Sequence, residues 1–377
     1  MNKIMTAIGL MSGTSMDGID IALIKSDGKN IISRDKFTYY PYSIKTKNII
    51  SKLIHNTSSS LLEIKEAELE ITKKHIEFTL KFIKENSLSI KEIDVIGFHG
   101  HTILHNSDQK ITWQIGNAQM LAIQTGIDVI ADFRTKDMVL GGNGAPLVPI
   151  YHHALFKDYS KPIIVLNIGG VSNLTYIENN NENNLIAFDV CFGNAPIDDL
   201  VFKKTGMDFD NNGELSQKGK INFDLANQFL TIDYFKKKGP KSLDRNQLYK
   251  SLDKIKKLKL ENALATMCYI IAKSLEIGLK QLPKNPKEII VCGGGRKNMT
   301  IMNLIHEVTK IKTTSIEEII NNGGGVEAEA FAFLAIRNLM NLPISFKKTT
   351  GVLPEKHAAQ PLKGEDSSSC GGVFYRA

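Results

Sequence analysis

Two stretches of the chain gather more hydroxyls, glycines and backbone N–H groups than a turn requires. One is Ser12-Gly13-Thr14-Ser15-Met16-Asp17-Gly18, set between apolar runs, and the other is Gly169-Gly170-Val171-Ser172-Asn173. A tight hairpin needs only two or three turn residues. Peptide N–H groups that converge without side-chain bulk bind phosphate oxygens. Both stretches therefore read as phosphate loops, although a turn and nothing else remains the alternative for each. A third glycine turn, Gly293-Gly294-Gly295, runs from a strand into a helix. In this order the three loops suit a nucleotide, two hairpins at its phosphates and the triple-glycine turn at its ribose and base. Neither GxxxxGK[ST] nor GxGxxG with a downstream acid occurs, which disfavours the P-loop and dinucleotide sites.

Other residues carry chemistry with a plainer reading beside each. Asp189 stands in the run "LIAFDV", expected at the end of a strand near Gly193, where a turn-capping carboxylate is the alternative. Arg134 ends "VIADFR"; a planar guanidinium pairs with a carboxylate or orients an oxygen, but Asp132 and Asp137 are adjacent partners. Glu327 opens "EAEAFAFLA", where an acid also suits a helix N-terminus. "GFHGHTILH" puts His99 and His101 on one strand face with His105 beyond, and no Cys or carboxylate completes a zinc set at ligand spacing. Cys191, Cys268, Cys292 and Cys370 form no CxxC pair, which argues against a zinc knuckle or a disulfide framework.

The elements that must hold these groups repeat a grammar. "TAIGLMSG" and "IDIALIKSDG" read as strands around the first loop, and "PIIVLNIGG" and "VSNLTYI" as strands around the second. A helix is expected from about Ser60 to Glu85, with Leu62, Leu69, Ile76 and Ile83 on one stripe and Ile64, Ile71 and Phe78 on another, so both sides should be covered. "IDVIGFHGHT", "KITWQIG", "DVIADF", "LIAFDV" and "EIIVC" read as further strands. "AQMLAIQT", "ENALATMCYIIAKSLEIGLKQL" and "VEAEAFAFLAIRNLM" read as helices, the last closing the second half. "GGNGAPLVP" marks the crossover, "IENNNENN" a loop tip and "GEDSSSCGG" a mobile tail. Each half opens strand, polar loop, strand, the pattern of an old duplication.

With 377 residues, 42% hydrophobic and 23% charged, the chain suits two ordinary cores. No apolar run approaches the roughly 18–20 residues of a membrane span. The N-terminus lacks a signal peptide's longer apolar region, so the expected location is the cytoplasm. The net charge of +7 is scattered, and no nucleic-acid module is present.

"GLMSGTSMDGID", "ADFRTKDMVLGGNGAPLVP", "LNIGGVSNLT", "VCGGGRKN" and "EAEAFAFLA" occur in the order and spacing of the anhydro-N-acetylmuramic acid kinases. The chain resembles that family from about Gly9 to Gly351. The family belongs to the actin, Hsp70 and sugar-kinase superfamily. The resemblance implies an α/β, two-lobed, actin-like sugar-kinase fold, each lobe a mixed sheet flanked by helices, with the active site in the interlobe cleft. The lobes are expected as 1–134 with 345–377, and 135–344. The implied reaction uses ATP and Mg²⁺ to phosphorylate O6 of 1,6-anhydro-N-acetylmuramic acid while water opens the anhydro ring.

Residue by residue, Asp189 matches the family's catalytic Asp in "DTGPxN", the base that deprotonates water. Asp17 is the implied Mg²⁺ carboxylate, directly or through water, in a loop whose Ser12 to Gly18 hold phosphate. Gly169, Gly170, Asn173 and Gly293 to Gly295 complete the ATP site. Arg134 is implied to meet the sugar's lactyl carboxylate, with Glu327, His99 and Asn194 as further sugar contacts. The expected partners are thus ATP, the anhydro amino sugar and water, and a homodimer is left open. Two motifs depart from the family. "DTGPxN" is here "DVCFGN", where Phe192 is expected to narrow the turn near the sugar, and "PKSTGRE" is "PKSLDRN", with Pro240, Lys241, Ser242 and Arg245 kept. His101 stands where Gln is more frequent. The competing readings are a kinase of the same fold for another amino sugar, and an actin- or Hsp70-like ATPase.

Overall fold

The structure, a computed structural model, describes residues 3–13, 16–55, 58–243, 248–353 and 372–377. Thr14, Ser15 and Arg245 lie outside the described residues, as does the expected tail over 364–371. The strands are β1 (Met5–Ser12), β2 (Gly18–Ser26), β3 (Ile31–Pro41), β4 (Val95–Asn106), β5 (Ile111–Ile115), β6 (Val129–Ala131), β7 (Ile163–Ile168), β8 (Val171–Ile177), β9 (Ile186–Phe192), β10 (Glu288–Cys292), β11 (Lys312–Ser315) and β12 (Val373–Tyr375). Contacts divide the chain into Met1–Lys157 with Gly325–Lys347 and Gly351–Ala377, and Asp158–Gly324 with Lys348–Thr350.

The first unit holds a sheet of order β12-β6-β4-β1-β2-β3, with β5 paired to β4. β1, β2 and β3 run antiparallel in sequence, while β4 and β6 continue parallel to β1. The second unit holds β11-β10-β7-β8-β9. There β7, β8 and β9 are antiparallel in sequence, and β10 and β11 continue parallel to β7. The two sheets therefore share one topology, which is the form the suspected duplication takes. Helices cover both faces, so the central strands read as near-continuous apolar runs, β7 being buried at every residue.

In the first unit, Ile8, Leu10, Ile21, Ile96 and Phe98 form a core with Ile71, Ile76, Phe82 and Ile83 of the helix Leu61–Glu85. Ser60 caps that helix in a reciprocal pair with Glu63. One expected stripe is only half covered: Ile76 and Ile83 are buried, but Leu62 and Leu69 are exposed. The buried residues of this helix begin at Ala67 and run through Ile71 and Ile76 to Ile83. β3 and the helix Ile44–His55 were not anticipated, because β3 is a mostly exposed edge strand without clean alternation. In the second unit, Leu166, Leu174 and Phe188 pack with Leu264, Met267, Ile271 and Leu275 of the helix Leu260–Leu279.

Two boundaries differ from expectation. The first unit extends to Lys157 rather than Arg134. The reason is visible in the Tyr151 hydroxyl, which donates to the buried Glu329 carboxylate at 2.6 Å, while Arg34 donates to the same oxygen at 2.9 Å. The helix Val326–Leu339 also belongs to the first unit instead of closing the second half. Gly9 of β1 and Gly97 of β4 are register partners, and a Cβ on either would stand 1.8 Å from the Ala328 oxygen or 2.1 Å from the Phe331 oxygen. The helix backbone rests on a strip of sheet that has no side chains.

Candidate active site

In the first unit the candidate groups gather at the carboxyl ends of the parallel strands β1, β4 and β6, the edge where open α/β sheets bind ligands. The hairpin from β1 to β2 turns through Gly13 and Met16, whose N–H donates to the Gly13 oxygen at 3.1 Å with Met16 at φ 58°. Gly18 must be glycine, since a Cβ there would meet the Tyr40 oxygen at 2.3 Å. Asp17 is exposed, and its charge helps push the Tyr39 phenol up to about 12, after burial. The Ser12 hydroxyl, expected to face phosphate, is buried between the Tyr42 hydroxyl and His101 Nδ1, at 2.9 Å from each. Ser12 thus anchors the loop's first foot, and its hydroxyl is not aimed at a ligand.

His99 and His101 do not act from one strand face. Between the pairs Leu10–Phe98 and Ser12–His101 the register slips, and Gly100 takes φ 72°. Such a bulge re-aims side chains. His99 turns to the ring of Phe331 at 4.6 Å and to Arg134, while His101 turns to Ser12. His99 Nδ1 lies 2.9 Å from the Gly100 oxygen, so it carries the proton, and Nε2 accepts from Arg134 Nε at 3.1 Å and from its terminal nitrogen at 3.0 Å. Burial and the guanidinium both hold this imidazole well below the usual histidine range. Both ring nitrogens are engaged within the protein, so His99 orients Arg134 and has no ring nitrogen left for a ligand.

Arg134 also donates to the Gly144 oxygen at 2.7 Å. Buried Asp137 accepts from the Gly144 N–H at 2.7 Å, and Lys110 donates to the oxygens of Gly141 and Gly142 at 3.1 and 2.7 Å. The glycine-rich loop after Arg134 is therefore held from three sides. Glu327 stands half-buried in the first turn of Val326–Leu339. Its neighbour Glu329, in the same "EAEAF" run, is the structural acid, paired with Arg34 and almost wholly buried.

In the second unit β7, β9 and β10 end at one sheet edge, and their three turns interlock. The hairpin is shorter than expected: Gly169 and Gly170 alone separate β7 from β8. The Asn194 N–H donates to the Gly169 oxygen at 2.8 Å and the Gly193 N–H to the Gly170 oxygen at 3.0 Å. Gly293, at φ 76°, would drive a Cβ to 2.2 Å from Asn167 Oδ1. Gly295 would drive one into Ile168 at 2.3 Å. By contrast, Cβ positions on Gly169 and Gly294 meet nothing nearer than 3.8 and 3.6 Å. A side chain on either would make only ordinary contacts, and both are at least partly exposed, so their backbone is accessible to a ligand.

Asp189 lies inside β9, three residues short of its end, and not at the strand terminus. The register jumps from Ser172–Cys191 to Asn173–Asp189, so Val190 is the extra residue of a bulge beside it. Asn173, expected in the phosphate loop, is instead the cross-strand partner of Asp189. Asp189 is 6% exposed, and Oδ2 accepts the Leu243 N–H at 2.7 Å. Its own N–H donates to the Lys241 oxygen at 2.9 Å, and the Tyr234 hydroxyl donates to its carbonyl at 2.8 Å. Lys241 Nζ donates to the Tyr234 oxygen at 3.0 Å and stands 4.4 Å above that ring. Burial lowers this ammonium to about 8, against the pull of Cys191 and Asp189. Of these clamping residues, Lys241 had a signal in the "PKS" run; Tyr234 and Tyr42 had none.

The altered "DVCFGN" run is absorbed by packing. Phe192 is buried against Phe229 with ring centroids 5.6 Å apart, so it does not narrow the turn. Cys191 is fully buried, which pushes its thiol up to about 12, and the Ser172 hydroxyl reaches the oxygens of Cys191 and Phe192 at 3.1 and 3.2 Å. The following Asn194 donates from Nδ2 to Asp198 at 2.6 Å, and its buried Oδ1 has no hydrogen-bond partner among the described residues. No cluster of three or more His, Cys, Asp or Glu able to hold a metal occurs among the described residues. Mg²⁺ bound with a nucleotide needs only one or two carboxylates, because phosphates and water fill its other positions. Exposed Asp17 fits that demand.

The model of the family described as anhydro-N-acetylmuramic acid kinase matches residues 5–358. The chain is 43% identical to the anhydro-N-acetylmuramic acid kinase of Zymomonas mobilis, over 92% of this chain and 97% of that one. It is 40% identical to the protein of that name from Rhizobium johnstonii, over 93% and 97%. Among solved structures, the activator of the 2-hydroxyisocaproyl-CoA dehydratase from Clostridium difficile with bound ADPNP is a distant likeness. It has a TM-score of 0.45 and 13% identity, covering 89% of this chain and 97% of that one.

Proposed function

The chain belongs to the anhydro-N-acetylmuramic acid kinase family, and on that premise we propose that it converts 1,6-anhydro-N-acetylmuramic acid, ATP and water into N-acetylmuramic acid 6-phosphate and ADP. This is a phosphotransferase of cell-wall recycling, acting on small molecules in the cytoplasm, where ATP is available. The observation that carries the reading is Asp189, a nearly buried carboxylate held at a β-bulge beside three interlocked glycine turns.

O6 of the substrate is tied to C1, so the sugar has no free 6-hydroxyl. Asp189 takes a proton from water as the water oxygen bonds to C1. The C1–O6 bond breaks, its electron pair stays on O6, and O6 bonds to the γ-phosphorus. The bond from that phosphorus to the bridging oxygen breaks, and ADP leaves with the pair. The base later releases its proton to solvent. The Leu243 N–H on Oδ2 fixes the carboxylate's direction. Backbone N–H groups of the hairpins at Gly13–Asp17 and Gly169–Gly170 hold phosphates, and Gly293–Gly295 lies against ribose and base. Catalysis of this step is mostly positioning and charge neutralisation. Mg²⁺, held through Asp17, would neutralise phosphate charge. Arg134, fixed by His99 and Gly144, presents paired donors to the lactyl carboxylate, and Glu327 and Asn194 accept from sugar groups.

Mass spectrometry after incubation with ATP, Mg²⁺ and the anhydro sugar in oxygen-18 water tests this. The expected product carries one phosphoryl group and one labelled oxygen at C1. Phosphorylation without label refutes the coupled opening. No product with this sugar, but product with another amino sugar, moves the assignment to a different substrate of the same fold.

A further inference from the structure

We propose that Tyr42 is the positioning residue of the first phosphate hairpin, closing its two feet with two different groups of one residue. The Tyr42 main-chain N–H donates to the Asp17 carbonyl at 2.8 Å, at the loop's outgoing foot. Its phenolic oxygen lies 2.9 Å from the Ser12 hydroxyl, at the ingoing foot. Ser12, Tyr42 and His101 are 1%, 5% and 0% exposed, so water does not compete for these bonds. His101 Nδ1, 2.9 Å from Ser12 Oγ, completes the chain Tyr42–Ser12–His101.

A tyrosine buried only for packing would need its ring alone. Here the ring belongs to the same core as Ile8, Leu10 and Phe98. The hydroxyl, however, is spent on the last residue of β1 before the turn, where phenylalanine would fill the same space. Tyr42 stands just past β3, the far neighbour of the hairpin's second strand, so the tie couples the loop to the sheet behind it. With both feet fixed, Gly13, Met16 and Asp17 are held in place before a ligand arrives, which lowers the ordering cost of binding. His101 lends its part through Ser12: Nε2 has no hydrogen-bond partner among the described residues, so Ser12 is the polar group it serves.

The inference rests on the reading of this hairpin as a phosphate loop. Its test is Tyr42→Phe, alone and combined with Ser12→Ala, with steady-state kinetics and amide hydrogen exchange. Losing one neutral buried hydrogen bond should raise the KM for ATP by roughly 3- to 10-fold. The KM for the sugar should stay unchanged, and exchange at residues 13–18 should quicken. Ser12→Ala also removes the His101 bond and should cost at least as much, and the double variant should be no worse than Ser12→Ala alone, because the Tyr42–Ser12 bond is already gone. Equal rises in both KM values, additive losses, or unchanged ATP kinetics with quickened exchange overturn the positioning role. Exchange needs no turnover, so a wild-type protein without kinase activity would refute the functional reading separately. The clamp would then be judged by exchange alone, supported if Tyr42→Phe quickens it and overturned if exchange is unchanged.

Discussion

Adding one methyl at Gly9 should loosen the first unit and misplace a sugar ligand at once. The Cβ of Gly9→Ala would stand 1.8 Å from the Ala328 oxygen and 2.7 Å from the Ala332 nitrogen, between the two ends of one helical hydrogen bond. Real Cβ contacts stay beyond 3.0 Å, so the helix Val326–Leu339 must retreat by at least 1.2 Å, the difference between 3.0 and 1.8. Backbone stands on both sides, so no rotamer relieves the clash. Overpacking of this kind costs about 3 kcal/mol at the upper end of its usual range. Replacing a strand glycine returns about 0.5–1 kcal/mol. A net loss of about 2 kcal/mol lowers Tm by roughly 4–8 °C for a unit of this size. Glu327 moves with the helix, and a misplacement of about 1 Å can cost on the order of 100-fold in rate. Thermal denaturation and coupled ADP-release kinetics measure both. Gly97→Ala, with its Cβ 2.1 Å from the Phe331 oxygen, should behave alike. A Gly9→Ala protein with wild-type Tm and wild-type kcat/KM for the sugar would refute the close approach.

Asp189→Asn keeps an oxygen for the Leu243 N–H but cannot take a proton, so kcat should fall by about 10²- to 10⁴-fold with nucleotide affinity kept; near-normal kcat would remove Asp189 as the base. Glu329→Gln leaves the half-buried Arg34 guanidinium without its countercharge and should cost about 1–3 kcal/mol, read from the urea midpoint. A loss under about 1 kcal/mol would mean that Arg34 finds water. His75, His101 and His105 are each lowered from 6.5 to about 4 by burial. Between those values the unfolded chain binds protons that the folded chain refuses, so stability should fall as pH drops from 6.5 to about 4. Each histidine contributes up to about 1.4 kcal/mol per pH unit. His101→Gln should flatten that slope by about one proton, and an unchanged slope would show that His101 titrates normally.

Legibility followed locality. The glycine loops, the strands around them and the helices with their caps depend on neighbours in sequence, and these stood where periodicity put them. The partial exposure of Leu62 and Leu69 was not legible, because a stripe says what is apolar and not what arrives to cover it. Asp189, expected at a strand end, lies inside β9, since the bulge at Val190 exists only against β8. The same pairing moved Asn173 from the loop to the position across from Asp189. Gly100 hid a comparable bulge, which separates the tasks of His99 and His101.

By itself the sequence determined the family, the reaction class and the local grammar of strand, polar loop and strand, because motif strings and residue chemistry are written consecutively. Tertiary structure decided who holds whom. The helix Val326–Leu339 joined the first unit because Gly9 and Gly97, far apart in the chain, make one bare strip of sheet. Ser12 became an anchor because Tyr42, just past β3, and His101 of β4 reach it, and Arg134 became rigid because His99 folds beside it. Phe192, a suspect at the sugar site, became core when Phe229 packed against it. Each of these outcomes turns on contacts between segments distant in sequence, whose geometry is set only when the sheets and their covering helices close.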